Sequence, residues 1–161
     1  MDLNSVDVSV GAWEGDAHER LTFPEDWEIT VSHMVGHELT PLTDEDIKYA
    51  ILNPLGVSRL SDLIAGKRKV AIIFDDLTRP TPAYRILPFL LEEIHSTGIR
   101  EHQISFVAAL GAHRPMIRKE FCSKLGTNVV QKYQIFNHNM SENLVDAGVT
   151  PLGIRLYINR E

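Results

Sequence analysis

Reactive side chains gather in three short stretches of this sequence. Asp75, Asp76, Thr78 and Arg79 form the first, His113 and Arg114 the second, and His138 stands between two asparagines in the third. Arg79 offers a planar fork of N–H donors suited to a bidentate grip on a carboxylate or phosphate. Asp76 can anchor that arginine or accept hydrogen bonds from ligand hydroxyls. An imidazole with an ordinary pKa of about 6.5 exchanges protons near neutrality, which makes His113 a candidate acid or base. The same residues have quieter uses. Asp75, Asp76 or Thr78 can cap a following helix, Arg114 can face solvent, and His113 can bond to the backbone of its own Gly-Ala-His-Arg-Pro turn.

Other candidates carry less. His33 and His37 have the spacing of helical metal ligands. Met34-Val35-Gly36 between them does not read as a helix, and no carboxylate motif accompanies them, so the spacing is fortuitous and no metal site is expected. Cys122 reads as a small packing residue, and His18, His95 and His102 as surface residues. There is no Gly-x-Gly-x-x-Gly and no Walker-type loop, which argues against ordinary dinucleotide and P-loop nucleotide binding.

The elements that must position these groups are strands. Val70–Phe74 is an unbroken apolar run, as expected of a strand buried on both faces, and it ends at Asp75. Ile104–Leu110 repeats the pattern and ends in Gly111-Ala112-His113-Arg114-Pro115. Tyr133–Phe136 predicts a third strand, leading to Asn137-His138-Asn139. Between them lie two predicted helices. One carries the stripe Ile86, Leu87, Leu90, Leu91 and Ile94, with Pro88 inside it and Gly98 as its stop; the other runs roughly over Met116–Leu125 and stops at Gly126. Strand, helix, strand, helix, strand predicts an α/β fold: a three-layer αβα sandwich around a mainly parallel, Rossmann-like sheet with right-handed crossovers. Functional loops in such sheets leave the carboxyl ends of the strands. Neighbouring strands lie about 4.8 Å apart, so the three loops can converge on one small ligand. The helix after Thr78 adds N–H groups at the same place, with Pro80 and Pro82 suited to its first turn.

Upstream of this 67–161 βαβαβ core, residues 1–42 read as a β-rich lead-in. Val6, Val8 and Val10 alternate with polar residues, Gly11 and Gly15-Asp16 mark a turn, and Glu28–Val31 resumes an extended pattern. Residues 43–66 read as helical. Thr43 and Asp46 resemble a capping box ahead of Ile47, Ala50 and Ile51, Pro54 and Gly56 close that helix, and Ser58–Ala65 forms a second one stopped by Gly66.

Composition limits the function. The 161 residues are 43% hydrophobic and 24% charged, with a formal net charge of −6, which fits a globular domain and offers no basic field for nucleic acid or anionic lipid. No apolar run approaches the roughly 18 residues that span a bilayer. The N-terminus has no signal-peptide pattern, and a lone cysteine fits a reducing compartment. A cytoplasmic protein is expected.

Asp75-Asp76-Leu77-Thr78-Arg79-Pro80-Thr81-Pro82 after one strand, and Ala109-Leu110-Gly111-Ala112-His113-Arg114-Pro115-Met116 after the next, resemble the N-terminal domain of lactate-racemase-type proteins. Asn53-Pro54-Leu55-Gly56, Asn137-His138 and Gly153…Tyr157-Ile158-Asn159-Arg160 extend the resemblance over most of the chain. It implies a racemase or epimerase of 2-hydroxyacids that depends on a nickel-pincer nucleotide and works by hydride abstraction and return. Position by position, His113 matches an acid/base histidine and Arg79 the arginine that binds and polarises the substrate. Asp76 and Thr78 match loop residues that shape the substrate and cofactor pocket, and His138 matches a recurrent histidine without an assigned role. Leu77 stands where lactate racemase itself has a histidine, so the resemblance names a substrate class, not lactate. A second acid/base histidine, the cofactor-attaching lysine, the nickel-ligating histidine and a C-terminal domain are expected beyond Glu161. The chain is accordingly expected to be incomplete at its C-terminus, inactive alone, and open to self-association through uncovered apolar surface.

Two other functions suit the same residues. A non-catalytic module would use Arg79 and the adjacent helix terminus to hold a carboxylate or phosphate. A mononuclear metal hydrolase would use Asp75, Asp76, His113 and His138 as ligands.

Overall fold

The computed structural model describes residues 4–11, 13 and 17–160. The chain divides into two compact units, Met1–Leu42 and Thr43–Glu161.

In the first unit, β1 (Ser5–Gly11) pairs antiparallel with β2 (Ala17–Thr22). Val6 faces Leu21 and Val8 faces Glu19, so the alternating valines do form a hairpin strand. Asp7 lies opposite Arg20 and receives both arms of its guanidinium at 2.8 and 2.9 Å. The expected Gly15-Asp16 turn lies outside the described residues. Glu28–Val31 is not a strand: the hairpin is two-stranded and offers this segment no ladder to join. His33 and His37 stack with ring centroids 4.0 Å apart, and among the described residues no third ligand joins them.

The second unit opens with α1 (Asp44–Leu52), started by the Thr43–Asp46 capping box. The Asp46 amide donates to Thr43 Oγ1 and the Thr43 amide to Asp46 Oδ2. A five-residue helix, α2 (Leu60–Ile64), follows. Then β3 (Val70–Phe74), α3 (Ala83–His95), β4 (Ile104–Ala108), α4 (Arg118–Leu125), α5 (Thr127–Lys132) and β5 (Gln134–Asn137) build a parallel sheet in the order β3-β4-β5. This is the α/β class that the alternation predicts. The tail folds back on itself as an antiparallel hairpin, β6 (Leu144–Val149) with β7 (Arg155–Asn159).

Ala83, Leu87, Leu91 and Ile94 are the buried stripe of α3, and Pro88 inside that helix deprives the Tyr84 carbonyl of its amide donor. The stripe joins Phe106 and Ala108 of β4, Phe121 and Leu125 of α4, and Val129 and Val130 of α5 in one core. Burying each large side chain contributes about 1.5–3 kcal/mol. Phe106 packs edge-on against Phe74 and Tyr133, and Phe74 against Phe121, so an aromatic cluster lies directly beneath the strand ends.

Both crossovers run the same way across the sheet, which places α3 and the α4–α5 pair on one face. Ala71 and Ile73 are exposed, Ile73 to 73%, so β3 is not buried on both faces. Its apolar run is continuous because Val70, Ile72 and Phe74 face the core while Ala71 and Ile73 occupy the bare side of an outer strand. A further difference is α5. Six residues with adjacent valines carry too little periodicity to separate from the strand that follows. Among the residues read as surface histidines, His95 is half-buried, its Nδ1 2.7 Å from the Ile99 carbonyl and its Nε2 2.8 Å from the Tyr133 hydroxyl.

Candidate active site

Sheet register brings the three reactive stretches to one rim. Phe74 pairs with Ala108 and Ala108 with Asn137, so the chain leaves all three strands at the same level. Backbone bonds continue past the strand ends: the Ala109 amide donates to the Phe74 carbonyl at 2.8 Å, and the His138 amide to the Ala108 carbonyl at 3.1 Å.

The loop after β3 closes on Asp76, which is only 7% exposed. Its Oδ1 accepts from the Thr78 amide at 3.0 Å and from the Thr78 hydroxyl at 2.5 Å, an Asx turn that bends the chain away from the strand. Its Oδ2 lies 2.5 Å from His113 Nδ1. Burial pushes the Asp76 carboxyl up, but the Thr78 hydroxyl, the His113 ring and the Thr78 amide outweigh it and bring the pKa down to about 2. The carboxylate is therefore ionised near neutrality and can only accept, so Nδ1 of His113 carries the proton. When the ring is neutral its Nε2 holds the lone pair. The imidazole is 54% exposed, so it is gripped on one side and open on the other.

Loop 109–116 supports His113 by its own anchors. Leu110 and Met116 are buried, the His113 amide donates to the Leu110 carbonyl, and Gly111 takes the left-handed conformation (φ +57°) that this turn requires. Asn137 clamps the far end, accepting from the Met116 amide and donating to the Met116 carbonyl, both at 2.9 Å.

Arg79 is exposed on the turn that carries Asp76, its amide donating to the Asp76 carbonyl at 3.2 Å. Asp76 does not anchor its guanidinium, since the carboxylate is taken by Thr78 and His113. Among the described residues no hydrogen bond or ion pair engages the Arg79 side chain, which leaves its fork available to a ligand. Asp75 turns elsewhere, accepting from Thr81 Oγ1 at 2.8 Å and pairing with Lys124 Nζ at 3.1 Å. Burial raises its carboxyl and those two partners lower it, with a net shift downward.

Neither Asp75, Asp76 nor Thr78 caps a helix. The helix begins later, at Ala83, with Pro82 at its cap position and Pro80 still in the loop, so its N–H groups do not start beside Thr78. Arg114 is held by Glu120, with donor–acceptor distances of 3.0 and 2.5 Å. Glu120 also accepts from the Ile117 amide, and this bracket starts α4. His138 Nδ1 bonds Asn159 Oδ1. Because the Asn159 amide nitrogen donates to the Asn139 carbonyl, its oxygen is the acceptor and the His138 Nδ1 is protonated. Of the four candidate hydrolase ligands, Asp76 and His113 meet each other while Asp75 and His138 take separate partners, and among the described residues no three metal-ligating side chains converge.

Lys124 is the participant that the sequence reading passes over. It is 0% exposed on α4 and its ammonium also donates to the Arg79 carbonyl at 3.0 Å. The available signal is its place on the helix: Phe121, Lys124 and Leu125 share one buried stripe.

Comparison with known proteins gives a consistent set of relatives. Residues 15–161 match the family model of the lactate racemase N-terminal domain. The chain is 38% identical over 122 residues to a lactate racemase of Thermoanaerobacterium thermosaccharolyticum, covering 74% of this chain and 28% of that protein. It is 32% identical over 118 residues to a lactate racemase of Lactiplantibacillus plantarum, covering 72% of this chain and again 28% of the relative. The structure of the T. thermosaccharolyticum lactate racemase apoprotein superposes with a TM-score of 0.66 at 36% identity, over 72% of this chain and 28% of that one. A Thermotoga maritima protein superposes with a TM-score of 0.53 at 26% identity, over 73% and 29%. The chain thus spans under a third of the length of these relatives.

Proposed function

The chain belongs to the lactate racemase N-terminal domain family, and on that premise we propose that it forms the N-terminal part of a racemase or epimerase of 2-hydroxyacids. The observation that carries this reading is the Asp76–His113 pair at the rim, with Arg79 on the same turn as Asp76. Arg79 grips the substrate carboxylate in its planar fork. The Nε2 of His113, left as an acceptor by the bond at Nδ1, takes the proton of the hydroxyl on the neighbouring carbon and later returns it. Asp76 fixes the ring's tautomer and orientation and stabilises the imidazolium that forms, as the buried carboxylate does in a Ser-His-Asp triad.

The resemblance implies a nickel-pincer nucleotide. The resemblance gives the nickel a single histidine ligand beside the pincer's own donors and matches that histidine to none of these residues, and Asp76 is buried under three donors from the chain, which makes it a support for His113. Ligands to the nickel, the covalent attachment of the nucleotide and an acid/base group for the opposite substrate face belong to residues other than these. Hydride acceptance, attributed by the resemblance to the cofactor, asks nothing of these side chains. No helix among the described residues is long and apolar enough to cross a membrane, and the lone cysteine favours a cytoplasmic setting.

The test is the full-length, cofactor-loaded polypeptide carrying His113→Ala. Turnover of a 2-hydroxyacid falls by at least about a hundredfold. A loss of only a few fold, with hydroxyacid binding abolished by Arg79→Ala, would instead identify a carboxylate-binding module.

A further inference from the structure

We propose that Lys124 is the positioning residue for Arg79, the anchor that sets where its guanidinium stands. The inference rests on the reading above only in assigning Arg79 to the substrate carboxylate.

Lysine is almost never fully buried unless its charge is met. On α4 it takes a place between Phe121 and Leu125 that an apolar side chain would fill with less desolvation, so packing alone does not account for it. What the ammonium meets is the loop after β3. It donates to the Arg79 carbonyl at 3.0 Å and pairs with Asp75 Oδ1 at 3.1 Å. The other oxygen of Asp75 accepts from Thr81 Oγ1 at 2.8 Å. One buried cation therefore ties the loop at its first residue, through that residue at Thr81, and at the Arg79 peptide between them.

Holding that carbonyl fixes the peptide plane and hence the direction in which the Arg79 side chain leaves the backbone. A bidentate grip depends on such placement, because both N–H donors of the fork must meet the two carboxylate oxygens at once. Lys124 cannot touch substrate itself, being sealed from solvent. Its bonds to the Arg79 carbonyl and to Asp75 use other atoms than the bonds of Asp76, which serves His113. The rim thus has two separate side-chain anchors, one for the carboxylate grip and one for the proton carrier.

The separation makes the proposal testable. In the full-length, cofactor-loaded enzyme, Lys124→Met should raise KM for the hydroxyacid about tenfold while kcat and its pH profile hold, the signature of lost uniform binding. In the 161-residue chain, without cofactor, the same substitution should speed amide hydrogen exchange at Leu77, Thr78, Arg79 and Thr81 and leave Ile104–Ala108 unchanged. If Lys124→Met does not fold, Thr81→Val, which alters an exposed hydroxyl, should shift both readouts in the same directions by a smaller factor. Unchanged exchange in the loop, or a shift in the kcat–pH profile along with KM, overturns the positioning role. Faster loop exchange in a polypeptide that racemises no hydroxyacid retains Lys124 as the anchor of Arg79 and removes the racemase reading instead.

Discussion

Two carboxylates in the second unit are buried and ionised, and they do different things. Glu93 on α3 is 3% exposed and receives both arms of the Arg59 guanidinium, at 2.6 and 2.7 Å, with the Ser61 amide at 3.3 Å. Arg59 lowers it most; burial works against that and the Ser61 contacts assist, leaving Glu93 at about 2. Asp76 reaches a similar value from the opposite balance, with burial as the largest influence and several donors overcoming it. The partners make the difference. Arginine stays protonated and turns its fork wholly to Glu93, so that pair braces α2 against α3 and carries no proton. His113 gives Asp76 one nitrogen and keeps another open. A buried carboxylate marks chemistry when its partner retains an unused titratable atom.

The sharpest way to break this comparison is Asp76→Asn. Thr78 supplies two donors to Oδ1, so the amide oxygen should settle there and its NH2 should face His113. The ring must then accept at Nδ1 and carry its proton on Nε2, the wrong tautomer for a base. Turnover of the full-length, loaded enzyme should fall by roughly a hundred- to ten-thousandfold, while thermal unfolding still shows a folded protein. A loss within threefold would remove Asp76 from the mechanism. Glu93→Gln gives the mirror image: the melting temperature should fall by roughly 5 °C, with turnover per folded molecule unchanged within about twofold.

Acid sharpens the comparison further. Both carboxylates have folded-state pKa values below their ordinary ones of 3.8 and 4.5, so the folded chain holds fewer protons than the unfolded chain in that range. Their contribution to stability is complete above about pH 4.5 and is lost as pH falls toward 2. Urea midpoints measured from pH 6 down to pH 2 should decline through that window. Asp76→Asn and Glu93→Gln should each remove part of the slope, and a slope untouched by both would refute the assignment. The smallest effect belongs to Thr78→Val, which deletes the hydroxyl donor and keeps the amide. About 1 kcal/mol of stability or less should be lost, with a few-fold drop in turnover, read by calorimetry and initial rates.

How much of this was legible in the sequence follows from what each feature depends on. The sequence places Asp76, Arg79, His113 and His138 at one rim because strand ends are punctuated locally, by Asp75 after Phe74 and by Gly111 after Leu110. The partner of Asp76 was not legible. Choosing His113 over Arg79 depends on the register of β3 against β4 and on the path of two loops, and neither leaves a local pattern. The exposed side of β3 was hidden for a related reason: five apolar residues read alike in a central strand and at the border of a sheet. Lys124 did leave a trace, a charged residue in a buried helical stripe, which is visible once α4 is phased on Phe121 and Leu125.

The amides of Ala109 and His138 extend the sheet's hydrogen bonding beyond its strands. Both bonds use backbone atoms alone, so they ask nothing of the side chains that stand on them. Little order has to be acquired when a ligand arrives, and the entropic penalty of assembling the rim falls on folding instead of on each encounter. For the same reason, the backbone platform that carries Asp76 and His113 does not depend on which exposed side chains the loops display.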